Sequence, residues 1–251
     1  MSKNLSSSPL PLLPRPRYGV DAPAFPMVTG AAGVACCLAA ARWPRRRTAM
    51  ATVGTAVLAS TGVYLHTTLR GKLRLWEREL DQIGLKGDEQ LLDLGCGRGA
   101  VLIEAAKRLP AGRASGADLW SLDQSGNSPE ATLANAAAAQ VADRVEVHTA
   151  DMTALPFADD SFDVVTSAMA IHNIPSFEDR YRAVDEAMRV LRPGGQLLVA
   201  DLWWVSRRYA EHLGQGTLRP LGARYWYGGP WFGVTLLHVV KEHGPEAADP
   251  C

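Results

Sequence analysis

Three glycines on alternate positions, Gly95, Gly97 and Gly99, follow an apolar run with one acid, Leu91-Leu92-Asp93-Leu94. Residues of these types in this order suit a loop around a nucleotide-like cofactor. Glycine permits the tight turn and lets a ligand approach the backbone, and the amides at the start of a following helix can serve polar cofactor groups. The loop alone does not choose the cofactor, because Gly95, Gly97 and Ala100 also fit the Gly-x-Gly-x-x-Gly/Ala pattern of dinucleotide enzymes. Two further acids stand downstream: Asp118, placed to accept from ribose hydroxyls, and Asp151, followed by Met152. One imidazole, His172 in Ala168-Met169-Ala170-Ile171-His172-Asn173-Ile174, is of the type that moves protons near neutral pH. Cys96 lies inside the loop with no partner nearby that would make it a nucleophile.

These groups need strands that end beside one another. The apolar run before Gly95 reads as a buried parallel strand, and Val101, Ala105 and Leu109 give the helical spacing after it. Arg113–Asp118 is a second strand and Arg144–Ala150 an alternating third. A fourth runs through Ser161-Phe162-Asp163-Val164-Val165, and Gln196–Leu202 is a fifth. Between them, Ser128 caps a helix opening at Pro129 and Glu130, and Ser176 caps one over Phe177–Val190 with Asp179 at capping-box spacing. Lys72–Ile83 is a helix ahead of the first strand, stopped by Gly84. Near the C-terminus, Tyr225–Tyr227, Gly228-Gly229-Pro230 and Trp231–Lys241 read as strand, turn and strand.

With Leu155-Pro156-Phe157 and Val190-Leu191-Arg192-Pro193-Gly194-Gly195 following in order, the chain resembles the class I S-adenosylmethionine-dependent methyltransferases over roughly residues 72–242. The branch it is most similar to includes the quinone C-methyltransferases. The resemblance implies a Rossmann-like α/β fold, a mostly parallel seven-stranded sheet with an antiparallel C-terminal hairpin, and S-adenosyl-L-methionine as cofactor. It implies that Asp93 and the backbone at Gly95 and Gly97 hold the methionine portion, with Ala168 completing that pocket. Asp118 would take the ribose hydroxyls, Leu119 would pack on adenine, and Asp151, beside Met152, would accept from the adenine amino group. His172 is the candidate base or acceptor contact, and Trp120, Asp123, Gln124 and Asn173 are candidate acceptor contacts. The quinone enzymes it resembles have Arg where His172 stands, followed by the same Asn, which sets this chain apart from them. A nicotinamide-dependent oxidoreductase is the alternative enzyme class, and a silent cofactor-binding membrane scaffold the alternative without chemistry.

Lysine plus arginine and aspartate plus glutamate both number 26, so no global basic field favours nucleic acid. The four cysteines are not spaced as Cys-x-x-Cys pairs, which argues against a disulfide framework or a metal site. Six prolines within residues 1–26 predict a disordered tail. Two apolar stretches, Met27–Ala41 and Ala49–Leu69, flank Arg42-Trp43-Pro44-Arg45-Arg46-Arg47 and predict a membrane-associated helical hairpin over residues 27–70. Small residues at Ala31/Ala35/Ala39 and Ala51/Thr55/Ala59 would let its helices approach closely. If both span, Lys3, Arg15, Arg17, Arg70, Lys72, Arg74 and Arg78 oppose Arg42, Arg45, Arg46 and Arg47, which places the catalytic domain, residues 71–243, on the cytoplasmic side. Residues 244–251 read as a flexible end. The expected function is methyl transfer at a membrane to a small acceptor, for which a lipophilic molecule is one candidate class, with no nucleic-acid partner and no oligomeric state implied.

Overall fold

A computed structural model describes residues 15–121, 124–222, 225 and 233–243. The cofactor loop lies in the middle of one seven-stranded sheet. Its strands are β1 (Gln90–Leu94), β2 (Arg113–Asp118), β3 (Val145–Thr149), β4 (Phe162–Ala168), β5 (Leu191–Leu202), β6 (Thr217–Pro220) and β7 (Val234–Val240), in the spatial order β3-β2-β1-β4-β5-β7-β6. The pairs β1–β2, β1–β4, β2–β3 and β4–β5 are parallel, whereas β7 runs antiparallel to both β5 and β6. The chain order reverses between β1 and β4, and that switch point is where an open parallel sheet leaves a crevice beyond its strand ends.

Successive side chains of β1 explain why its sequence is nearly continuous in apolar residues. Leu91 packs on one face of the sheet with Trp76, Leu80, Leu102 and Leu109, while Leu92 and Leu94 pack on the other with Val184, Val190, Leu197 and Tyr209. Helices α3 (Lys72–Gln82), α4 (Ala100–Ala106) and α5 (Pro129–Ala138) supply the first layer, and α6 (Phe177–Val190) with α7 (Trp203–Leu213) the second. The predicted starts hold: the Ser128 hydroxyl accepts from the Ala131 amide at 3.1 Å and the Ser176 hydroxyl from the Asp179 amide at 3.0 Å. At the C-terminal end the antiparallel pair is present, but its first strand is Thr217–Pro220. Tyr225 belongs to no named strand: its amide donates to the Gly222 carbonyl at 3.2 Å and its hydroxyl to the Gly71 carbonyl at 2.8 Å; Trp226, Tyr227 and the expected turn lie outside the described residues, as do residues 244–251.

The N-terminal hairpin consists of α1 (Ala24–Arg42) and α2 (Arg47–His66), each about 30 Å long at 1.5 Å per residue. Pairings of Gly33 with Leu58 and Gly54, and of Cys36 with Met50, set them antiparallel. The seam differs from the expected one. It runs through Pro26, Gly33 and Ala40 on α1 and Gly54, Thr61 and Thr68 on the second strut, a seven-residue spacing, whereas Ala31, Ala35, Thr55 and Ala59 face outward. A Cβ on Gly33 would stand 2.8 Å from Leu58, and one on Gly54 2.9 Å from the Gly33 carbonyl, so the closest approach needs glycine on both helices. A single π turn over Thr67–Gly71 joins α2 to α3 without a break in the helix.

The reading of residues 1–26 as a tail is corrected from Arg15 onward. The Arg17 amide donates to Asn135 Oδ1 at 2.8 Å, the Val20 amide to Ser125 Oγ at 2.9 Å, and Asp21 bridges to Gln124. Proline density weakens regular structure but leaves carbonyls, amides and side chains free to bind a neighbouring surface. Residues 1–14 lie outside the described residues.

Candidate active site

The turn after β1 carries three consecutive alternate glycines in the left-handed region, with φ of +67° at Gly95, +50° at Gly97 and +83° at Gly99. A Cβ at Gly95 would collide with Ala170 and one at Gly97 with the Gln124 side chain, so the loop is closely packed as well as sharply turned. Its amides are engaged within the protein. Gly95 and Cys96 donate to the Ala117 carbonyl, Gly97 to Asp118 Oδ2 at 2.8 Å, Arg98 to Gln124 Oε1 at 2.8 Å, and Gly99 to the Cys96 carbonyl. The run from Gly95 to Gly99 therefore presents a ligand with its Cα surface and carbonyl edges, with its amides already committed to protein partners.

Beyond the loop lies a cavity of about 680 Å³, within the range of small-molecule sites. Most cofactor candidates meet there: Gly95, Gly97, Asp118, Leu119, Asp151, Met152 and Ala168 all line it. Asp118 is buried at the end of β2, where Oδ1 accepts from the Trp120 amide at 2.6 Å. Asp151 holds the Thr153 amide and hydroxyl, both at 2.8 Å, and Leu119 is left 60% exposed as an open apolar wall. Ala168 is the last residue of β4, and Met169 after it takes a φ of +54°, a left-handed conformation uncommon for a residue with a side chain.

Asp93 does not reach the cavity. Its carboxylate accepts from Thr166 Oγ1 at 2.9 Å and from the Leu102 amide at 3.1 Å, so it ties β4 and the first turn of α4 to the glycine loop. The expected contact with the methionine portion becomes support of the loop from beneath. Burial drives the Asp93 carboxyl from 3.8 up to about 7, opposed by those two hydrogen bonds and reinforced by the charge of Asp118. The folded chain thus binds this proton more readily than the unfolded one between about pH 4 and 7. Stability from this group falls as pH rises through that window and levels above it. We expect the melting temperature of the parent protein to fall relative to Asp93→Asn between about pH 4 and 7, as measured by scanning calorimetry. Parallel curves would show that the carboxyl is already ionised throughout. Burial, with the charges of Asp93 and Asp118, also pushes the Cys96 thiol well up, which keeps it protonated and inert.

Acceptor candidates divide. His172 and Asn173 line the cavity from a 3-10 turn, Ile171–Asn173. Gln124 lines it too, but its amide is engaged by the Arg98 amide on one side and by Asp21 Oδ1, at 2.9 Å, on the other. Trp120 is corrected: its indole donates to Thr149 Oγ1 at 2.7 Å over the edge of β3, away from the cavity lining. Asp123 lies outside the described residues.

Two groups were missed in the sequence. Asp201, wholly buried near the end of β5, accepts from the His172 amide at 3.1 Å and from the Leu202 amide at 2.7 Å. Its Oδ1 also stands 2.8 Å from His172 Nδ1, close enough for a charge contact but off the line of a hydrogen bond. A strand-end acid was the signal that found Asp118, and the same signal applied to β5 would have found Asp201. The second missed group is Asp21 with Phe25 and Tyr64, which line the cavity from the foot of the hairpin and carry no motif.

The charge of the cavity decides which cofactor fits. Asp21, Asp118, Asp151 and Asp179 are among its lining residues, and no lysine or arginine is, among the described residues. A pyrophosphate needs free amides or cations; the Gly95–Gly99 amides are committed to protein partners, and the one cation of the loop, Arg98, does not line the cavity but donates to the Ser125 carbonyl at 3.2 Å. A ligand bearing a sulfonium and an ammonium is matched by the acids. The residues therefore fit S-adenosylmethionine.

Comparison with known proteins agrees. A methyltransferase-domain family matches residues 92–199. The ubiquinone/menaquinone biosynthesis C-methyltransferase UbiE of Cereibacter sphaeroides is 34% identical over 149 residues, 56% of this chain, and the chain spans about half the length of that relative, 56%. The demethylmenaquinone methyltransferase of Lactiplantibacillus plantarum is 36% identical over 178 residues, covering 69% of this chain and 68% of that protein. An S-adenosylmethionine-dependent methyltransferase from Aquifex aeolicus superposes with a TM-score of 0.55 at 17% identity, over 72% of this chain and 97% of its own, a likeness of fold. On the sheet order, the glycine loop and the identity shared over two-thirds of the demethylmenaquinone enzyme, the chain belongs to the class I S-adenosylmethionine-dependent methyltransferases.

Proposed function

We propose that the protein transfers a methyl group from S-adenosylmethionine to a small, lipid-soluble acceptor at a membrane surface, with the catalytic domain on the cytoplasmic side. The observation that carries the transfer is the acid-lined cavity around the glycine loop. The bound cofactor supplies a methyl already activated on a positively charged sulfur. What remains for the chain is to hold donor and acceptor in line, exclude water, and take a proton where the acceptor must lose one. Met169, Ile174 and Leu202 supply apolar lining, and His172, whose backbone amide is held by Asp201 and whose ring lies beside that carboxylate, is the group we assign to take the proton. The relatives named for ubiquinone/menaquinone and demethylmenaquinone methylation support a lipid-soluble acceptor.

The membrane assignment rests on the surface of the hairpin. Met27 is 73% exposed and Val28 and Leu38 each 68%, with Val34, Val53 and Val63 also open. Burying such a side chain is worth about 1.5–3 kcal/mol, so an all-round apolar helix pair in water would forgo several kcal/mol that lipid recovers. The helix lengths match a hydrocarbon core of about 30 Å. Arg45, Arg46 and Arg47 are exposed at the far tip beside Trp43, as headgroup contacts would require. We expect the full-length protein to remain with the membrane pellet through high-salt and alkaline carbonate washes. Complete recovery in the low-salt supernatant would overturn the anchor.

A further inference from the structure

The hairpin does more than lie next to the catalytic domain, because its foot is knotted to the cavity through one side chain. Asp21 Oδ1 accepts from Lys72 Nζ at 2.8 Å and from Gln124 Nε2 at 2.9 Å, and Oδ2 accepts from Thr68 Oγ1 at 2.8 Å. The Asp21 amide in turn donates to Thr68 Oγ1, and its carbonyl accepts from the Tyr64 hydroxyl at 2.5 Å. Since Gln124 also holds the Arg98 amide, an unbroken chain of hydrogen bonds runs from the π turn of the hairpin strut to the glycine loop. Ala22, directly after the hub, is held at a φ of +39°, a strained backbone that the surrounding contacts must sustain.

The hub presents an aromatic wall. Phe25 and Tyr64 lie with ring centroids 4.8 Å apart, tilted at 46°, and both border the cavity. The motif residues already described take the donor: Asp118, Leu119, Asp151 and Met152. The aromatic pair is thus left to the acceptor side, and it stands where α1 begins and α2 ends, at the junction between hairpin and domain.

We infer that the foot of the hairpin is the acceptor-recognising wall of the site, that Phe25 and Tyr64 receive a flat apolar ring entering from the bilayer side, and that Asp21 is the positioning residue that holds this wall to the cofactor loop. This rests on the proposed methyltransferase reading and adds to it a place and a route for the acceptor. Aromatic faces favour ring ligands over flexible polar ones through offset and edge contacts. A molecule dissolved in the membrane would reach this wall without crossing open water, because the wall is built at the root of the two apolar helices.

The test uses the full-length protein in phosphatidylcholine nanodiscs, titrated calorimetrically with S-adenosylhomocysteine and then with 2-naphthol as an apolar ring probe, corrected against empty nanodiscs. Phe25→Ala should weaken 2-naphthol binding by at least about tenfold while S-adenosylhomocysteine affinity stays within about threefold. Asp21→Asn should weaken 2-naphthol likewise, since the wall loses its tie to Lys72, and Tyr64→Phe should fall between, keeping the ring and losing one bond. Should Phe25→Ala lose both ligands, Phe25→Leu, which keeps bulk without the ring, is judged by the same criterion. Unchanged 2-naphthol binding in the Phe25 variants, or no 2-naphthol binding by a parent protein that does bind S-adenosylhomocysteine, overturns the inference and leaves the methyltransferase reading standing. A parent protein that binds no S-adenosylhomocysteine overturns that reading, and this inference with it.

Discussion

Replacing His172 with alanine should lower methyl transfer by at least about a hundredfold, the lower range for general acid–base catalysis, with cofactor affinity nearly unchanged. The expectation follows from position. His172 lines the cavity on a 3-10 turn directly after β4, its amide is fixed by Asp201, and its ring lies 2.8 Å from the same carboxylate. A buried acid that holds the backbone amide fixes the turn carrying the ring, although the ring nitrogen itself makes no hydrogen bond to it. Asp201→Asn, which keeps the shape and removes the charge, should lower turnover less than His172→Ala and leave the acceptor KM nearly constant. The assay is incorporation of labelled methyl from S-adenosylmethionine into a membrane lipid extract. If His172 only supports its turn, His172→Ala will instead lose thermal stability and cofactor affinity together. Full activity with intact stability would remove His172 from both roles.

Asp118→Ala should weaken S-adenosylhomocysteine binding by about tenfold or more. Hydrogen bonds to a charged partner are worth about 1.5–3 kcal/mol each, and 1.4 kcal/mol is a factor of ten. The loss has two sources. The carboxylate lines the cavity, where we propose that it takes the ribose hydroxyls, and it also holds the Gly97 amide at 2.8 Å and the Trp120 amide at 2.6 Å, so its removal loosens the loop that shapes the site. Asp118→Asn should do less harm, since its oxygen can keep one of those amides. Unchanged affinity in a folded Asp118→Ala protein would place the cofactor elsewhere.

What was legible in the sequence was local or periodic. The strand at Arg113–Asp118 and the helix over Phe177–Val190 have the predicted bounds, because an alternating or buried pattern ending in a cap or an acid is written in consecutive residues. The cofactor loop was equally plain, since glycine is the residue favoured at its three left-handed positions. Contacts made across long sequence distance were not legible. Asp21 meets Gln124 over 103 residues and Lys72 over 51, and nothing in a proline-rich segment signals that its one acid is a hub. The hairpin seam failed for a related reason. Several small-residue stripes were available, and the choice of Gly33 and Gly54 over Ala31 and Ala35 depends on how the helices cross. That the loop amides are engaged was not legible, because the groups that claim them, the Ala117 carbonyl, the Asp118 carboxylate and the Gln124 side chain, are brought close only by the folded sheet.

These partners are also what separates this site from a dinucleotide site with a similar glycine pattern. The most direct measurement is therefore a calorimetric titration of the full-length protein with S-adenosylhomocysteine and, separately, with NAD⁺. Saturable binding of S-adenosylhomocysteine and none of NAD⁺ is expected from a cavity lined by Asp118 and Asp151 with no arginine or lysine among its described lining residues. Saturable binding of NAD⁺, or no response to S-adenosylhomocysteine, would contradict it.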